Sequence, residues 1–439
     1  MSVLVFLPIL VTVFGFFMLV KLRFFLVRNP IKILKRIMSL FRDSESRKSL
    51  ALALAGTLGV GNIVGVAYGL SVGGAGCLFW IFVSSFFSAV LKYAESSLAA
   101  EKKENNRGGM SYVIKSTFGK FGWLLGAVYA VLCILLSLTM GTALQSQSFI
   151  MSLGENGIIH KCIYSLVFVI AVAFVVVGGA DKISKATSFL IPMSTMIYVI
   201  ICVSVILKNI SSAPEVMKSI IMGAFNFRSA AGGVSAFLAT KAIKEGFARG
   251  LLSNEAGAGT SAMAQSRSDL SSSDVGLLGV CEVFFDTSLL CMLTGFAVLF
   301  SGVDVYCMSG MEIISSAFSS SLGGGAVTVL FLLIFFFAFS TVICWYYYGT
   351  ECIYFLFKKK KSPLYVVLFL FFIFVGFLIP SDTLILISDY LLFFMSIITL
   401  FTLYKNSESI VRLSERCGLL EYSDRGKELY TKSRKRFDL

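Results

Sequence analysis

The chain has 439 residues, of which 57% are hydrophobic and 14% charged, with a formal net charge of +13 and a mean hydropathy of +0.85. A soluble globular domain carries roughly 25% charged residues, so a water-soluble fold is excluded. The Lys and Arg lie in short clusters between apolar runs and not along one basic face, which excludes a nucleic-acid surface.

Apolar runs of about 20 residues, each able to cross a roughly 30 Å hydrocarbon core as a helix, recur from Val3 to Leu403 and number about eleven. The first, Val3 to Val20, has basic residues only after it, the reverse of a cleavable leader, so it is expected to be a spanning helix. Cytoplasmic loops carry the excess of Lys and Arg, which puts the cluster from Lys21 to Lys48 inside and the N-terminus outside. Alternate threading then places Lys92 to Lys120, Lys182 and Lys185, Lys244 to Arg267, and Lys358 to Lys361 inside as well. The opposite loops, around Val72 to Gly76, Glu155 to His160, Lys208 to Lys218, Ser301 to Gly325 and Pro380 to Thr383, are short or poorer in basic residues.

Ala55 to Gly65 packs four glycines and Asn62 into the middle of a spanning segment. Glycine lets the backbone leave helical dihedrals, and hydrocarbon penalises the amides and carbonyls so released unless a ligand or cavity satisfies them. Released N–H groups suit a carboxylate and released carbonyls suit a cation or ammonium, with Thr57 and Asn62 as side-chain partners. Close helix packing through Gly61 and Gly65 is the plainer alternative. With the first helix set aside ten remain, and Gly232-Gly233 marks a second interruption at the opening of the second five, the pattern of a five-plus-five transporter with a midplane site.

Lys241, Glu282 and Asp286 are ionisable residues near helix interiors or cytoplasmic ends. Glu282 and Asp286, one turn apart, are expected to pair with basic residues or line a vestibule. Lys241 either snorkels to the cytoplasm or stands where a cation would, making coupling proton-linked. Ser340 and Thr341 put hydroxyls inside a Phe-rich helix, either bonded to their own helix or offered to a hard cation such as sodium. Trp345, one turn on, is placed to wall a small apolar pocket. The cysteines fall mostly inside apolar runs without metal or disulfide spacing and read as small core residues. The single His160 lies near a predicted outer loop, so no His-based metal site or Ser-His-Asp constellation can form in the membrane, which argues against an enzyme. The polar stretch from Lys405 to Leu439 is expected to be a cytoplasmic, partly helical extension.

Four blocks in order, Gly56 to Ala67, Lys92-Tyr93-Ala94-Glu95, Gly246 to Gly259 and Glu282 to Thr287, resemble the alanine or glycine:cation symporter family. Phe339-Ser340-Thr341 with Trp345 and Tyr347-Tyr348-Gly349 is a fifth. The resemblance implies an all-α polytopic protein of about 11 transmembrane helices: one extra N-terminal helix (1–26), a basic linker (27–48), two inverted five-helix repeats (49–208 and 209–404) of the bacterial leucine transporter type, and a tail (405–439). It implies sodium-driven import of alanine or glycine, D-alanine included, through a bacterial cytoplasmic membrane, with no cofactor beyond the transported Na+ or H+. Carried over by position, Thr57, Gly59, Gly61, Asn62, Gln145, Thr341 and Trp345 would bind substrate, and Gly56, Ser340 and Thr341 the cation. Arg249, Asn254 and Glu255 would be gate or loop residues at a cytoplasmic helix end, and Lys241 and Asp286 candidates for coupling. Val60, Ala236 and Lys241 depart from the family's usual Thr, Gly and Ala, and the last helix lacks its usual Asn and Pro. Proton-coupled permeation and, more remotely, a passive channel stay open beside sodium symport.

Overall fold

Apolar side chains on every face and only six prolines let most of the chain wind into long helices. The computed structural model describes residues 3–154, 157–225, 234–306, 308–359 and 362–420, and side chains from residue 6 and, after the second gap, from residue 240. The fold is all-helical, with no β-strand among the described residues. Among the described residues, seven helices are long and apolar enough to cross a membrane: Gly76–Glu101, Gly119–Ser152, Ile158–Val176, Gly179–Lys208, Ser272–Ser301, Gly324–Phe357 and Ser381–Lys405. Ser44–Thr57 and Gly61–Gly73 form one further span bent by 56°, and Phe6–Lys21 and Pro363–Leu378 are shorter apolar helices. The outer faces carry Phe174, Val167, Phe189 and Phe371 in the open, an apolar belt that lipid would cover.

Polar segments tie the bundle together at one end. Asp43 caps the first broken span by accepting from Ser46 N at 2.7 Å, and the Ser46 hydroxyl and N–H hold its carboxyl below the usual range. The amphipathic helix Pro30–Leu40 is fastened by Arg36, whose guanidinium meets both oxygens of Asp274 at 2.7 and 2.8 Å. The expected partly helical extension is found as Ser407–Arg416, with Ile410 and Leu413 buried and Ser414 Oγ 2.7 Å from Tyr93 Oη. Ser272 donates to Glu101 at 2.8 Å at this same end.

At the opposite end, Gly76 opens the helix Gly76–Glu101 against the backbone of Gly223 and Ala224, which a Cβ there would overlap. Gly76→Val should therefore cost about 1–3 kcal/mol or more through overpacking that the backbone cannot relieve, seen as a lowered melting temperature of the purified protein.

Two interruptions organise the core. In the first, Leu58 leaves the helix at φ −74, ψ 79, and winding resumes as a π-turn over Gly61–Gly65. Gly232-Gly233, expected to carry the second, lies outside the described residues. The described chain has another interruption between Val234–Asn254 and the short helix Ala262–Gln265. There Glu255, Gly257 and Gly259 take φ of 52, 92 and 75, and a Cβ on Gly259 would strike Met110, so glycine is required for both conformation and space.

The two broken spans lie side by side and antiparallel. Val66–Gly73 runs along Val234–Asn254, where a Cβ on Gly69 would come within 2.9 Å of Arg249 and one on Gly73 within 3.2 Å of Glu245, while Ser44–Thr57 packs by Ala262–Gln265. Arg249, which meets Gly69, and the buried Asn254 and Glu255 lie within this packed region. Gly246 packs on Trp80 and Gly250 on Ser84, and Ser84 precedes Glu101 by 17 residues (101 − 84), about 25 Å of helix. The helix Val234–Asn254 thus ends deep in the bundle, because its first turns extend past Gly73 and Gly76 at the other end.

Candidate functional site

The backbone freed at the first break is met from three other elements. Thr341 Oγ1 donates to Leu58 O at 3.2 Å, Trp345 Nε1 donates to Gly56 O at 3.3 Å, and Gln145 Oε1 accepts from Val60 N at 3.5 Å. Asn62 Oδ1 accepts from Gly59 N at 3.3 Å, closing the bend on itself. A methyl on Gly59 would stand 3.2 Å from Gln145 Oε1 and 3.3 Å from Thr341 Oγ1, so the space between these groups is small. Beside them a cavity of about 10 Å³, room for one water, is lined by Gly59, Asn62, Tyr198 and Phe337 among others.

Thr57 Oγ1 is buried and has no hydrogen-bond partner among the described residues. A hydroxyl kept unpaired at a helix break costs about 1–3 kcal/mol, which a ligand at that point would recover. Trp345 is fully buried, edge-on to Tyr348 with ring centroids 5.5 Å apart, and its indole lies where a side chain at position 141 would be, so Gly141 admits it. Gly61 is exposed, and among the described residues no atom lies within 4 Å of where a Cβ on Gly61 or Gly65 would stand.

Asp286 adds what the sequence left separate. It lies in the π-turn Phe284–Cys291, fully buried, and accepts from Ser253 Oγ at 2.6 Å, from Thr287 Oγ1 at 2.8 Å, and from Asn62 Nδ2. Asn62 Nδ2 also donates to Ser253 Oγ at 3.0 Å. One buried carboxylate thus joins the first break, the helix leading to the second, and a third span. No Lys or Arg lies within 4 Å of it among the described residues. π-turns mark functional positions in helices, and three of them, Gly61–Gly65, Thr139–Ala143 and Phe284–Cys291, adjoin this region.

The structure disperses the remaining candidates. Ser340 Oγ donates back to Phe336 O and Phe337 O at 2.8 and 3.0 Å, so its helix satisfies the donor, as the alternative reading held. Arg249 pairs with Glu245 at 3.2 Å and lies 4.8 Å over the Tyr68 ring, away from the carbonyls of the break. Asn254 Nδ2 donates to Thr287 Oγ1 at 2.9 Å, and Glu255 accepts from Thr260 at 2.6 Å. Lys241 is half-buried next to Ala242, which packs on Gly73, so it belongs to the end of the bundle opposite Glu101, 12 residues (253 − 241) or about 18 Å of helix from Ser253. Glu282, expected to find a basic partner, has Lys92 at 3.0 Å. Ser253, which bonds both Asn62 and Asp286, was the member of this cluster least marked in the sequence, a hydroxyl inside a recognisable run with nothing to tie it to either.

Comparison with known proteins places these features in a context. The model of the sodium:alanine symporter family matches residues 1–432. An uncharacterised transporter of Haemophilus influenzae is 31% identical over 293 residues, 64% of this chain and 63% of that protein. A Bacillus subtilis protein named as a probable sodium/glutamine symporter is 30% identical over 72% of this chain and 67% of its own, and a sodium/alanine symporter of Methanococcus maripaludis is 29% identical over 70% and 71%. The matched stretch spans less than two thirds of the first of these relatives. A solved nucleobase-cation-symport-1 family transporter in a closed conformation superposes at a TM-score of 0.49 with 15% identity, over 75% of this chain and 70% of that one.

Proposed function

The chain belongs to the sodium:alanine symporter family, and from that premise we propose that it is a secondary active symporter importing a small neutral amino acid, alanine or glycine, with sodium by alternating access. The observation that carries this reading is the break at Leu58, where freed main-chain groups, an unpartnered Thr57 hydroxyl and, through Asn62, a buried carboxylate are brought to one bend inside the bundle.

In this reading the amino acid's carboxylate meets N–H groups where winding resumes at Gly61, and its ammonium meets carbonyls near Gly56 and Leu58. Gly59, Gln145, Thr341 and Trp345 bound the side-chain space, and its tightness favours alanine and glycine over larger residues. The cation takes the oxygens of Asp286, Ser253 and Thr287, hard ligands that sodium prefers, with Gly56, Ser340 and Thr341 as the site the resemblance implies. Asp286 has no basic partner within 4 Å among the described residues, and this favours a positive guest there, sodium first and a proton second.

Eleven spans follow if the helices Phe6–Lys21, Pro363–Leu378 and Val234–Asn254 each cross the bilayer along with the bent span and the seven longer helices. The antiparallel broken spans support the two-repeat organisation, and the basic linker supports a cytoplasmic Glu101 end, an outer N-terminus and a bacterial cytoplasmic membrane.

The test is uptake of labelled alanine and glycine into proteoliposomes under imposed sodium or proton gradients. Accumulation that requires one inward gradient supports symport; gradient-independent downhill flux refutes it. Thr57→Val should weaken alanine binding by about 1–3 kcal/mol, roughly 5- to 150-fold, while leaving the melting temperature of the empty protein the same or higher, because an unpaired buried hydroxyl is removed and no hydrogen bond is lost without substrate. Equilibrium binding and thermal melts measure the two effects separately.

A further inference from the structure

The helix Pro30–Leu40, at the Glu101 end of the bundle, presents two apolar faces where a water-soluble surface helix would present one. Ile33 and Leu40 are buried and Ile37 half-buried against the bundle, while Ile31, Leu34 and Met38 stand 70, 58 and 62% exposed. At 3.6 residues per turn these two sets lie about a third of a turn apart, and Lys32, Lys35 and Arg36 fill the remaining third. Arg36 is bound to Asp274, so the inner face is fixed and the direction of the outer one with it.

The outer face continues one that lipid covers. Its spacing of three or four residues runs back through Val27 and Phe24 to Val20, Phe16 and Val13 on the first helix, all of them exposed. Between the two helices Arg23 and Phe24 take φ of 51 and 54, in the left-handed region, and the chain turns there. Eleven residues rise about 16 Å against a roughly 30 Å hydrocarbon core, so Pro30–Leu40 is too short to cross. A helix with an open apolar face flanked by basic residues is the form that lies along a membrane interface.

The elbow also holds a groove of about 440 Å³ lined by Arg28, Asn29, Pro30, Ile31, Lys32 and Lys35. Three cations and no acid border it. Among the described residues neither Arg28 nor Lys35 has a carboxylate within 4 Å, and Lys32 donates to Gly418 O at 2.5 Å. The cations around them are committed: Arg23 to Glu415 at 3.2 Å, Lys48 to Glu45 at 2.7 Å, and Arg47 to the carbonyls of Phe41 and Arg42 at 2.6 and 3.0 Å.

We propose that this elbow binds an anionic phospholipid, with the headgroup phosphate held by Arg28, Lys32 and Lys35 and the acyl chains lying along Val27, Ile31 and Leu34. An acidic peptide would satisfy the cations, but Ile31 and Leu34 stand in line with side chains that the bilayer already covers, and only a lipid meets both features. Through Arg36 and Asp274 the bound lipid anchors the start of the span Ser272–Ser301. The site depends on no assumption about the transported solute.

The full chain in nanodiscs of phosphatidylcholine, with or without phosphatidylglycerol, tests this. Hydrogen exchange of amides 30–40 should slow several-fold when phosphatidylglycerol is present, and native mass spectrometry of protein released from mixed discs should show phosphatidylglycerol retained over phosphatidylcholine. Arg28→Gln with Lys35→Gln should lower that retention about 10- to 30-fold, whereas Lys120→Gln with Lys218→Gln, which removes equal charge elsewhere, should leave it unchanged. All four positions are exposed, and the wild-type comparison of lipids decides the matter even if a variant does not fold. Equal retention of the two lipids, equal loss in both double variants, or protection indifferent to phosphatidylglycerol would overturn the proposal. So would protection that grows with the number of protein copies per disc, which assigns the face to a second copy, or protection produced by soluble glycerol phosphate in phosphatidylcholine discs, which assigns the groove to a free phosphate.

Discussion

Lys92→Ala is expected to leave little folded protein. Lys92 and Glu282 are both wholly out of solvent at 3.0 Å, and removing the ammonium leaves carboxylates buried without their cation. Breaking one partner of such a pair costs about 3–5 kcal/mol, a large part of the margin by which a protein stays folded. The Ser261 hydroxyl would also lose its donor, so the loss extends to the 255–261 stretch. Thermal melts and size-exclusion profiles in detergent should show a strongly lowered transition or an aggregated peak. Lys92→Met with Glu282→Gln, which removes both charges at nearly constant volume, should recover most of the melting temperature. A melt of Lys92→Ala within a few degrees of the wild type would show that protonation already neutralises the cluster without the lysine.

The spans and the first break were legible because both are local. Hydropathy over about 20 residues reports burial in hydrocarbon directly, and four glycines with Asn62 inside one apolar run have no use in a regular helix. The second interruption expected at Gly232-Gly233 lies outside the described residues, and the stretch after Asn254 read as a cytoplasmic helix end because its glycines follow a long helical run. In the folded chain that helix overshoots at its first end, and the alternation Gly257-Ala258-Gly259 holds the positive φ values that unwinding requires. The signal was there, in glycines assigned to a loop.

The chemistry of the site was legible by residue type and not by partner. Asn62, Gln145, Thr341 and Trp345 meet the backbone of the first break, and Thr57 ends the helix before it. The bonds from Asn62 to Asp286 and from Lys92 to Glu282 span 224 and 190 residues, and no periodicity encodes which buried acid meets which donor. Ser340 shows the converse: its hydroxyl has a partner one turn back, so a suggestive residue can be satisfied locally.

Asp286→Asn should separate the cation from the amino acid. The amide fills the carboxylate's volume and keeps an oxygen for Ser253 and Thr287, which donate at 2.6 and 2.8 Å, at the cost of the one bond from Asn62 Nδ2 to the other oxygen, a loss the fold should tolerate. The negative charge is gone, and a buried guest that relied on it loses about 3 kcal/mol or more, on the order of 100-fold in cation affinity. Alanine binding at saturating sodium should fall much less than sodium's ability to promote that binding, because Asn62 and the freed backbone remain. Titrating sodium against alanine binding in the variant and the wild type measures the split. Equal losses for both ligands would move the cation to the Ser340 and Thr341 side of the break, while unchanged sodium dependence would remove Asp286 from coupling altogether.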